Sequence, residues 1–303
     1  MRALAGQRKV LERGGAGYPP ALERVPQPPE RLYVAGDPAA LEEGIAIVGA
    51  RKATPYGRGC AQRFAALAAR RGVVVVSGGA RGCDAAAHEA ALGAGGRTVA
   101  FLGGGCDRPY PAEHAGLFQR IVDGGGAVAS EYAWDEDPKP YRFRLRNRLI
   151  AGLARATLIV EAGLPSGTFS TADEALAANR DVLVVPGAIT AASSRGANRL
   201  LYQGATPVVD DETFEDALFS LFGLLKQQEA VGDGSRPGGD GPSNPVADAL
   251  RAEPLGMEQL YAIATASCGE VDARSWLMER LVEAELAGAI ARHPDGRWGP
   301  AAR

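Results

Sequence analysis

Short runs of apolar, mostly β-branched residues recur along the chain from Gly44 onward, and glycines or small polar residues follow each run. The runs lie at 45–48, 73–76, 98–102, 127–129, 157–160, 182–185 and 206–209. Alanine-rich segments with helical spacing lie between them, such as Cys60 to Arg71 and Asp84 to Leu92. This alternation predicts βα units, and runs that are apolar at every position predict strands buried on both faces. We therefore predict a Rossmann-like, doubly wound, mostly parallel α/β sheet over residues 44–225.

The segments on either side of this region have different patterns. Residues 1–43 are rich in proline and irregular, which predicts an N-terminal arm packed on the core. Residues 226–243 are rich in glycine, proline, serine and aspartate, which is typical of a flexible linker. Residues 244–303 have the pattern of three helices and two short strands around the turn at 294–296. This pattern predicts a small C-terminal winged-helix domain.

Composition narrows the function classes. The first ten residues contain no apolar core of a signal peptide, and no apolar run approaches membrane-spanning length. The four cysteines form no CxxC pair, and the three histidines do not combine with them into a metal-ligand pattern. We therefore expect a cytoplasmic protein with reduced thiols, no metal, no cofactor and no membrane partner.

The positions of the charged residues indicate more about possible nucleic-acid binding than the net charge does. The formal net charge is −3, and 29 of the 33 basic residues are arginines. The predicted winged helix has six arginines against nine acidic residues. A winged helix that reads DNA is expected to be basic on one face. This one is better interpreted as a protein-interaction or regulatory module, or as a weak DNA contact.

The loops after the predicted strands carry residues suited to anions. In a parallel α/β sheet, ligands bind at the carboxyl ends of the strands. Candidate residues at these ends are Gly49, Arg51, Ser77, Gly78, Gly79, Arg81, Gly82, Ser166, Gly167, Thr168 and Gly187. Glycine-rich loops before a helix present backbone N–H groups, and arginine offers a planar fork for phosphate. Asp84 is interpreted as the N-cap of the next helix, and His88 as a packing residue.

The stretch from Tyr141 to Ile150 contains four alternating arginines with two aromatic residues among them. If its start is extended, the arginines share one face; from about Asn147 it is predicted to be helical. Arg146 and Arg148 then point in different directions, one toward a ligand and the other toward a structural carboxylate. Aromatic rings among cations favour backbone tracking with base stacking.

These motifs, taken together, resemble a known family. They are GAR at 49–51, SGGARGCD at 77–84, YP at 110–111, SEY at 130–132, FRLRNRLIAGL at 143–153, SGT at 166–168, PG at 186–187 and GxN at 196–198. In this order and spacing they resemble the DNA-processing protein A family (DprA, also called Smf) over roughly residues 18–220. The sequence departs from the family pattern at Ala50, where serine is common, at Gly79, where a larger apolar residue is usual, and at Cys83, where isoleucine is usual. The sterile-alpha-motif-like N-terminal domain of many members is absent or reduced to the proline-rich arm.

The resemblance implies a dimeric protein that binds incoming single-stranded DNA during natural transformation, protects it and helps load the recombinase RecA, without catalysis. A single-stranded-DNA-binding protein is a further candidate partner. The implied phosphate pocket is Arg51, Ser77, Gly78, Gly79, Arg81 and Gly82, with a rim of Lys139, Phe143, Arg146, Asn147 and Ser166. Gly49, Arg144, Gly167, Thr168 and Gly187 complete the candidate DNA-binding set. The dimer contact is expected within 190–222, with Leu200, Leu201, Leu218 and Phe222 as apolar candidates.

Two enzyme hypotheses are alternatives to the DNA-binding hypothesis. Phosphoribohydrolases of the lysine-decarboxylase-like (LOG) group, which act on nucleoside monophosphates, share the sheet type and carry a PGGxGTxxE motif. Here the matching stretch, 163–174, lacks the first glycine pair and has Glu174 six residues after Thr168 instead of three. A NAD-dependent oxidoreductase is disfavoured because no strand–GxGxxG–helix unit with an acidic residue about 20 positions later is present.

Overall fold

The computed structural model describes residues 3–224, 246, 249–250, 255–267, 272–286, 290–292 and 298–300. The chain divides into two compact units, Met1–Gln227 and Gln228–Arg303. The candidate site residues all belong to the first unit.

A nine-stranded sheet forms the centre of the first unit. Its strands are β1 (Arg8–Glu12), β2 (Arg31–Gly36), β3 (Gly44–Val48), β4 (Val75–Ser77), β5 (Thr98–Phe101), β6 (Ala127–Ser130), β7 (Ala154–Ile159), β8 (Asp181–Val184) and β9 (Thr206–Pro207). Their order across the sheet is β1-β2-β6-β5-β4-β3-β7-β8-β9. The seven strands from β6 to β9 in this order are parallel, and only the β1–β2 and β2–β6 pairs are antiparallel. The predicted doubly wound, mostly parallel architecture is confirmed.

Helices cover both faces of the sheet. They are α1 (Pro20–Glu23), α2 (Pro55–Arg70), α3 (Cys83–Gly93), α4 (Ala115–Asp123), α5 (Arg142–Leu153), α6 (Thr168–Ala177), α7 (Arg195–Tyr202) and α8 (Asp211–Phe222). Alternate side chains of β3 show the two layers: Ile45 and Ile47 pack with α2, α3 and α8, whereas Ala46 and Val48 pack with α1, α5, α6 and α7. Burial on both faces explains why the strand segments contain few polar residues.

The N-terminal arm is more regular than its proline content predicts. β1 and β2 pair antiparallel, and β2 adds to the edge strand β6, so the arm extends the sheet. The prolines between 19 and 29 lie outside both strands, and Pro20 begins α1. This is where proline fits, because it lacks the N–H that a paired strand donates. The expectation of an irregular arm was therefore wrong for residues 8–12 and 31–36.

The proposed dimer contacts need correction. Leu200 and Leu218 are 6% and 1% exposed and belong to the cores on the two faces of the sheet. Leu201 and Phe222 are half-buried and pack against the same cores. Two of the four candidates are therefore occupied within their own chain, since the amphipathic helices α7 and α8 turn their apolar faces onto the sheet.

The described part of the second unit contains α9 (Met257–Ser267), α10 (Ala273–Leu286), and the antiparallel strands β10 (Ile290–Arg292) and β11 (Trp298–Pro300). Leu260, Leu277, Leu281 and Ile290 form its buried core. The predicted linker, the predicted turn at 294–296 and most of the first predicted helix lie outside the described residues. The winged helix stays a prediction. Among the described helices, none combines the length and apolarity needed to cross a membrane.

Candidate nucleic-acid interface

Two neighbouring cavities open at the carboxyl ends of β3, β4 and β7. The sheet order reverses between β3 and β7, the position at which open α/β sheets bind ligands. The larger, here the main cavity, has a volume of about 500 Å³. Its lining includes Gly49, Arg51, Phe143, Arg144, Arg146, Asn147, Ser166, Gly167 and Thr168. The smaller, here the side cavity, has about 40 Å³ and adds Gly78 and Arg81 while sharing Arg51, Phe143 and Arg146. Eleven of the sixteen candidate residues thus meet at one place.

Arg51 lies on the loop between β3 and α2 and borders both cavities. Its side chain is exposed, its guanidinium carbon lies 5.7 Å from the centre of the Phe143 ring, and no carboxylate of the described residues pairs with it. Thr54 fixes the far end of this loop, since its Oγ1 accepts from the Gly57 amide at 3.1 Å as the N-cap of α2. Arg51 is therefore a cation available to a ligand on an anchored loop.

Glu161 anchors the same loop through Thr54. It was not among the candidate residues predicted from the sequence. It follows β7, is 2% exposed, and its Oε2 accepts from the Thr54 amide at 2.9 Å and from the Thr54 hydroxyl at 3.1 Å. Its Oε1 has no partner among the residues that the structure describes. An acidic residue directly after an apolar strand was the available signal, because a carboxylate there must meet a helix N-terminus or a donor.

The residues 78–82, here the β4 loop, were predicted to offer free N–H groups to an anion. Instead, the Gly78 and Ala80 amides donate to Asp84 Oδ2 at 3.1 and 3.3 Å. Helix α3 begins at Cys83 with Gly82 as its N-cap, so Asp84 lies inside the first turn and is not the cap. The carboxylate of Asp84 therefore takes the place that we assigned to a phosphate.

Three candidate residues in or next to the β4 loop do not line either cavity, namely Ser77, Gly79 and Gly82. Ser77 is fully buried, and its hydroxyl donates to a β3 carbonyl at 2.6 Å. Gly79 has a φ of +66°, and a side chain there would strike the ring of Phe118. Gly82 has a φ of +81° and passes close to the backbone of Arg51. Their small size serves close backbone packing.

The four alternating arginines lie on a helix from the first one onward, so an extended start is wrong. Helix α5 covers Arg142–Leu153, and residues two apart on a helix point to nearly opposite sides. Arg142 pairs with Glu136 at 2.6 Å, and Arg148 pairs bidentately with Glu131 at 2.8 and 2.6 Å. The prediction that one arginine of this stretch faces a structural carboxylate is confirmed for Arg148.

Arg144 and Arg146 are the two arginines of α5 that line the main cavity. Arg144 is exposed, whereas Arg146 is only 4% exposed and its Nη1 donates to the carbonyls of Gly78, at 2.7 Å, and Phe101. Burial lowers the pKa of Arg146 to about 10, and the nearby Asp84 carboxylate opposes that shift. Arg146 therefore stays positive at neutral pH and gives the cavity floor a fixed positive charge.

Residues 163–167, here the β7 loop, lead into α6 on the other side of the main cavity. Ser166 Oγ accepts from the Thr168 amide at 3.2 Å, and Asn147 Nδ2 reaches Ser170 Oγ at 3.4 Å beside it. Gly167 caps α6 without a side-chain hydrogen bond, and no acidic residue lies in the first turn of the helix. This helix start faces the cavity with its positive dipole end uncompensated by a local carboxylate.

Lys139 and Gly187 do not line the two cavities. Lys139 is exposed on the segment before α5. The Gly187 amide donates to Asn198 Oδ1 at 3.2 Å, and its carbonyl accepts from Asn198 Nδ2 at 2.9 Å. Asn198 thus satisfies both backbone groups of Gly187, so this glycine has a structural contact instead of the one expected.

Tyr110 belongs to the YP motif at 110–111 but was not among the candidate binding residues, and it lines the side cavity. Its ring lies 5.3 Å from that of Phe143, and it is 47% exposed. A tyrosine next to a proline in a loop after a strand gave a weak signal. Only the fold brings it beside Phe143.

Two other titratable residues near the site, His88 and Glu174, do not line either cavity. His88 is buried, its Nδ1 donates to Thr98 Oγ1 at 2.7 Å, and burial lowers its pKa to about 3. Glu174, the carboxylate of the phosphoribohydrolase reading, is half-buried on α6 and does not line the main cavity. Within the described ranges, no His, Cys, Asp or Glu group has a metal-binding arrangement.

Known proteins resemble this chain over most of the first unit. The sequence model of the family described as DNA recombination-mediator protein A matches residues 9–218. The chain belongs to this family. A putative DNA processing protein DprA of Mycobacterium tuberculosis is 42% identical over 270 residues, which cover 86% of this chain and 66% of that protein. The chain thus spans slightly less than two thirds of the length of that relative.

Two solved structures of DNA processing protein A have the same fold. The Streptococcus pneumoniae protein matches with a TM-score of 0.65 and 32% identity, over 69% of this chain and 74% of the other. The Helicobacter pylori protein, whose structure is described as revealing a single-stranded DNA binding mode, also has a TM-score of 0.65 and 32% identity. That match covers 72% of this chain and 98% of the other.

The departures from the DNA-processing protein A pattern have local explanations. The Phe118 ring occupies the space that a larger residue at position 79 would need, and the positive φ there also favours glycine. Cys83 is fully buried, and its Sγ lies so close to Gly49 that a side chain at position 49 would strike it. Ala50 lines the main cavity, where a serine would add a hydroxyl.

Proposed function

We propose that this protein binds single-stranded DNA in the main cavity by holding phosphates and stacking one base, without chemical turnover. The observation that supports this most is the meeting of Arg51, Arg144 and Arg146 with Phe143 at the switch point of the sheet. Arg51 and Arg144 are exposed, whereas Arg146 is buried. A flexible polyanion with flat bases is the ligand that fits cations interleaved with an aromatic ring.

Each group has a definite task in this proposal. Arg51 and Arg144 form charge-assisted, bidentate hydrogen bonds to phosphate oxygens. At the start of α6, the Gly167 amide and the positive end of the helix dipole receive a further phosphate, which replaces the Ser166 hydroxyl as the acceptor of the Thr168 amide. Phe143 stacks on a base, which contributes about 1–3 kcal/mol. Because phosphates and stacking carry most of the binding, little dependence on base sequence is expected.

The relatives support the same ligand. The Helicobacter pylori protein, described by its single-stranded DNA binding, is covered almost completely by the aligned part of this chain.

Binding measurements at several salt concentrations test the proposal. An oligo(dT) strand and a duplex of equal length are compared by fluorescence anisotropy. If about four phosphates are neutralised, log K falls against log salt with a slope of roughly −0.7 per phosphate, near −3. Arg51→Ala is expected to weaken binding to all sequences alike. Arg70→Ala is the matched control, because Arg70 is exposed in the last turn of α2, the end of that helix far from the cavities.

A flat salt dependence, preference for the duplex, or equal effects of the two substitutions would contradict the proposal. The phosphoribohydrolase alternative makes a different prediction, namely release of a free base from a nucleoside monophosphate. Incubation with the four monophosphates, followed by chromatography, separates the two functions.

Membership in the family extends the proposal to partners. We infer that the protein acts in the cytoplasm as a homodimer that protects incoming DNA during natural transformation and helps load RecA, with a single-stranded-DNA-binding protein as a further partner. The family description as a recombination mediator supports this role. Light scattering gives the oligomeric state, and RecA assembly on DNA coated by single-stranded-DNA-binding protein, with and without this protein, tests the mediator role.

A further inference from the structure

The side cavity lies next to the main cavity and has its own aromatic ring and its own cation. Tyr110 and Arg81 line it together with Arg51 and Phe143, which belong to both cavities. The rings of Phe143 and Tyr110 are 5.3 Å apart and tilted by 50°, so they contact each other and leave no room for a base between them. Tyr110 is 47% exposed, and it therefore offers a second stacking surface beyond Phe143.

Arg81 already forms an ion pair with a carboxylate of the protein, that of Glu113. Its Nε and Nη2 both donate to the carboxylate of Glu113, the latter at 2.8 Å. Both side chains are more than half exposed, at 58% and 53%. Exposed ion pairs add little to stability, so another anion can replace this carboxylate at small cost. A phosphate is suited to do so, since it accepts the same bidentate pair of hydrogen bonds.

We propose that the exposed rim of the side cavity is a second nucleotide subsite, at which a base stacks on the outer face of Tyr110 and a phosphate replaces Glu113 on Arg81. The inference rests on the proposed function, because it continues the strand from Phe143 across the shared wall of the two cavities. Glu113 competes with the strand for Arg81 in this arrangement, and it therefore weakens binding of strands long enough to reach the subsite.

An oligo(dT) length series, from the dinucleotide upward, tests the stacking part by fluorescence anisotropy. Tyr110→Ala is expected to weaken binding of the longer strands by about 5- to 150-fold, the equivalent of one lost stacking contact. The shortest strands that bind fill the main cavity alone and are expected to keep their affinity. Tyr110→Phe keeps the ring and is expected to behave as wild type at every length.

Glu113→Gln tests the competing carboxylate. This substitution leaves Arg81 free, so the longer strands are expected to bind several-fold more tightly, and the salt slope is expected to steepen by about 0.7, one additional phosphate. Glu89→Gln is the matched control, because the pair of Arg120 and Glu89 has the same exposures of 58% and 53% and borders neither cavity. Adding Arg81→Ala to Glu113→Gln is expected to remove the gain.

The outcomes separate the two proposals. If Arg51→Ala weakens binding but Tyr110→Ala and Glu113→Gln change nothing beyond their controls, the second subsite is wrong and the main site stands. If Tyr110→Ala weakens all lengths equally, the tyrosine acts only by supporting Phe143, and the subsite is again wrong. If the wild type binds no strand of any length, both proposals fail. Circular dichroism melting verifies that each variant is folded.

Discussion

The β4 loop and the β7 loop are similar in sequence but differ in whether a carboxylate of the protein accepts hydrogen bonds from the loop amides. Both combine glycine with small residues, follow a parallel strand and lead into a helix, as anion-binding loops do. In the β4 loop, Asp84 accepts from the amides of Gly78 and Ala80. In the β7 loop, the first amide of α6 donates to the neutral hydroxyl of Ser166, and no acidic residue lies in the first turn of the helix. The β4 loop is thus closed by an internal anion, and the β7 loop is open to an external one.

This difference shows that an anion-binding motif identifies a place for a negative charge. It does not say whether a carboxylate of the protein or a bound ligand supplies that charge. In one loop the charge comes from the protein and contributes to stability. In the other it is left for a ligand and contributes to binding. Four substitutions test this contrast, from the largest expected effect to the smallest.

Removing the internal anion should affect stability most. Asp84→Ala leaves the buried amide of Gly78 and the partly buried amide of Ala80 without an acceptor, at about 1–3 kcal/mol for a buried group, so the free energy of unfolding is expected to fall by about 3 kcal/mol. Ser166→Ala in the open loop is the control and is expected to cost less than about 1 kcal/mol. Urea denaturation of both variants measures the difference. Equal losses would mean that the β4 loop is not held by its carboxylate.

Acid should destabilise the closed side through His88, one turn after Asp84. Its pKa in the folded state is lowered from 6.5 to about 3, so between these values only the unfolded state takes up the proton. Stability is therefore lost as the pH falls through this window, by up to about 1.4 kcal/mol per pH unit. His88→Asn keeps a donor toward Thr98 and is expected to reduce that slope by this amount. Urea unfolding at several pH values measures it, and an unchanged slope would show that His88 is not the responsible group.

An added carboxylate should close the open loop. Gly167→Asp places an acid at the start of α6, where a new side chain meets no atom within 4 Å. Stability is expected to stay the same or rise by up to about 1 kcal/mol, since acids favour helix N-termini. Affinity for single-stranded DNA is expected to fall about tenfold or more, as the new charge occupies the phosphate position. Gly167→Asn adds similar bulk without charge, and a loss of the same size in that variant would attribute the effect to bulk.

Arg144 should give the smallest effect. It is exposed at the main cavity, and its loss removes one phosphate contact without disturbing the core. Arg144→Ala is expected to lower affinity a few-fold, flatten the salt slope by about 0.7 and leave the melting temperature unchanged. Anisotropy titrations at several salt concentrations provide the measurement, and an unchanged slope would remove Arg144 from the set of phosphate ligands.

Sequence reasoning was most successful for features that depend on neighbouring residues. Buried strands, helix spacing and the small residues after each strand are local patterns, and they located the cavity region through the rule for parallel sheets. It was less successful for the partner of each side chain. Asp84 was interpreted as a helix cap although its carboxylate turns back to the loop, and Tyr110 was not among the candidate binding residues because Phe143 is distant from it in the chain.

The sequence by itself determined the parallel α/β fold and the edge of the sheet where the cations gather, because periodicity and strand-end composition are encoded in short segments. Only the tertiary structure decided which cations are free. Arg148 and Arg81 meet carboxylates 17 and 32 residues away, whereas Arg51 meets none among the described residues. Ion pairs form between groups that the fold brings within hydrogen-bond distance. The spacing of residues along the chain does not predict which groups these are.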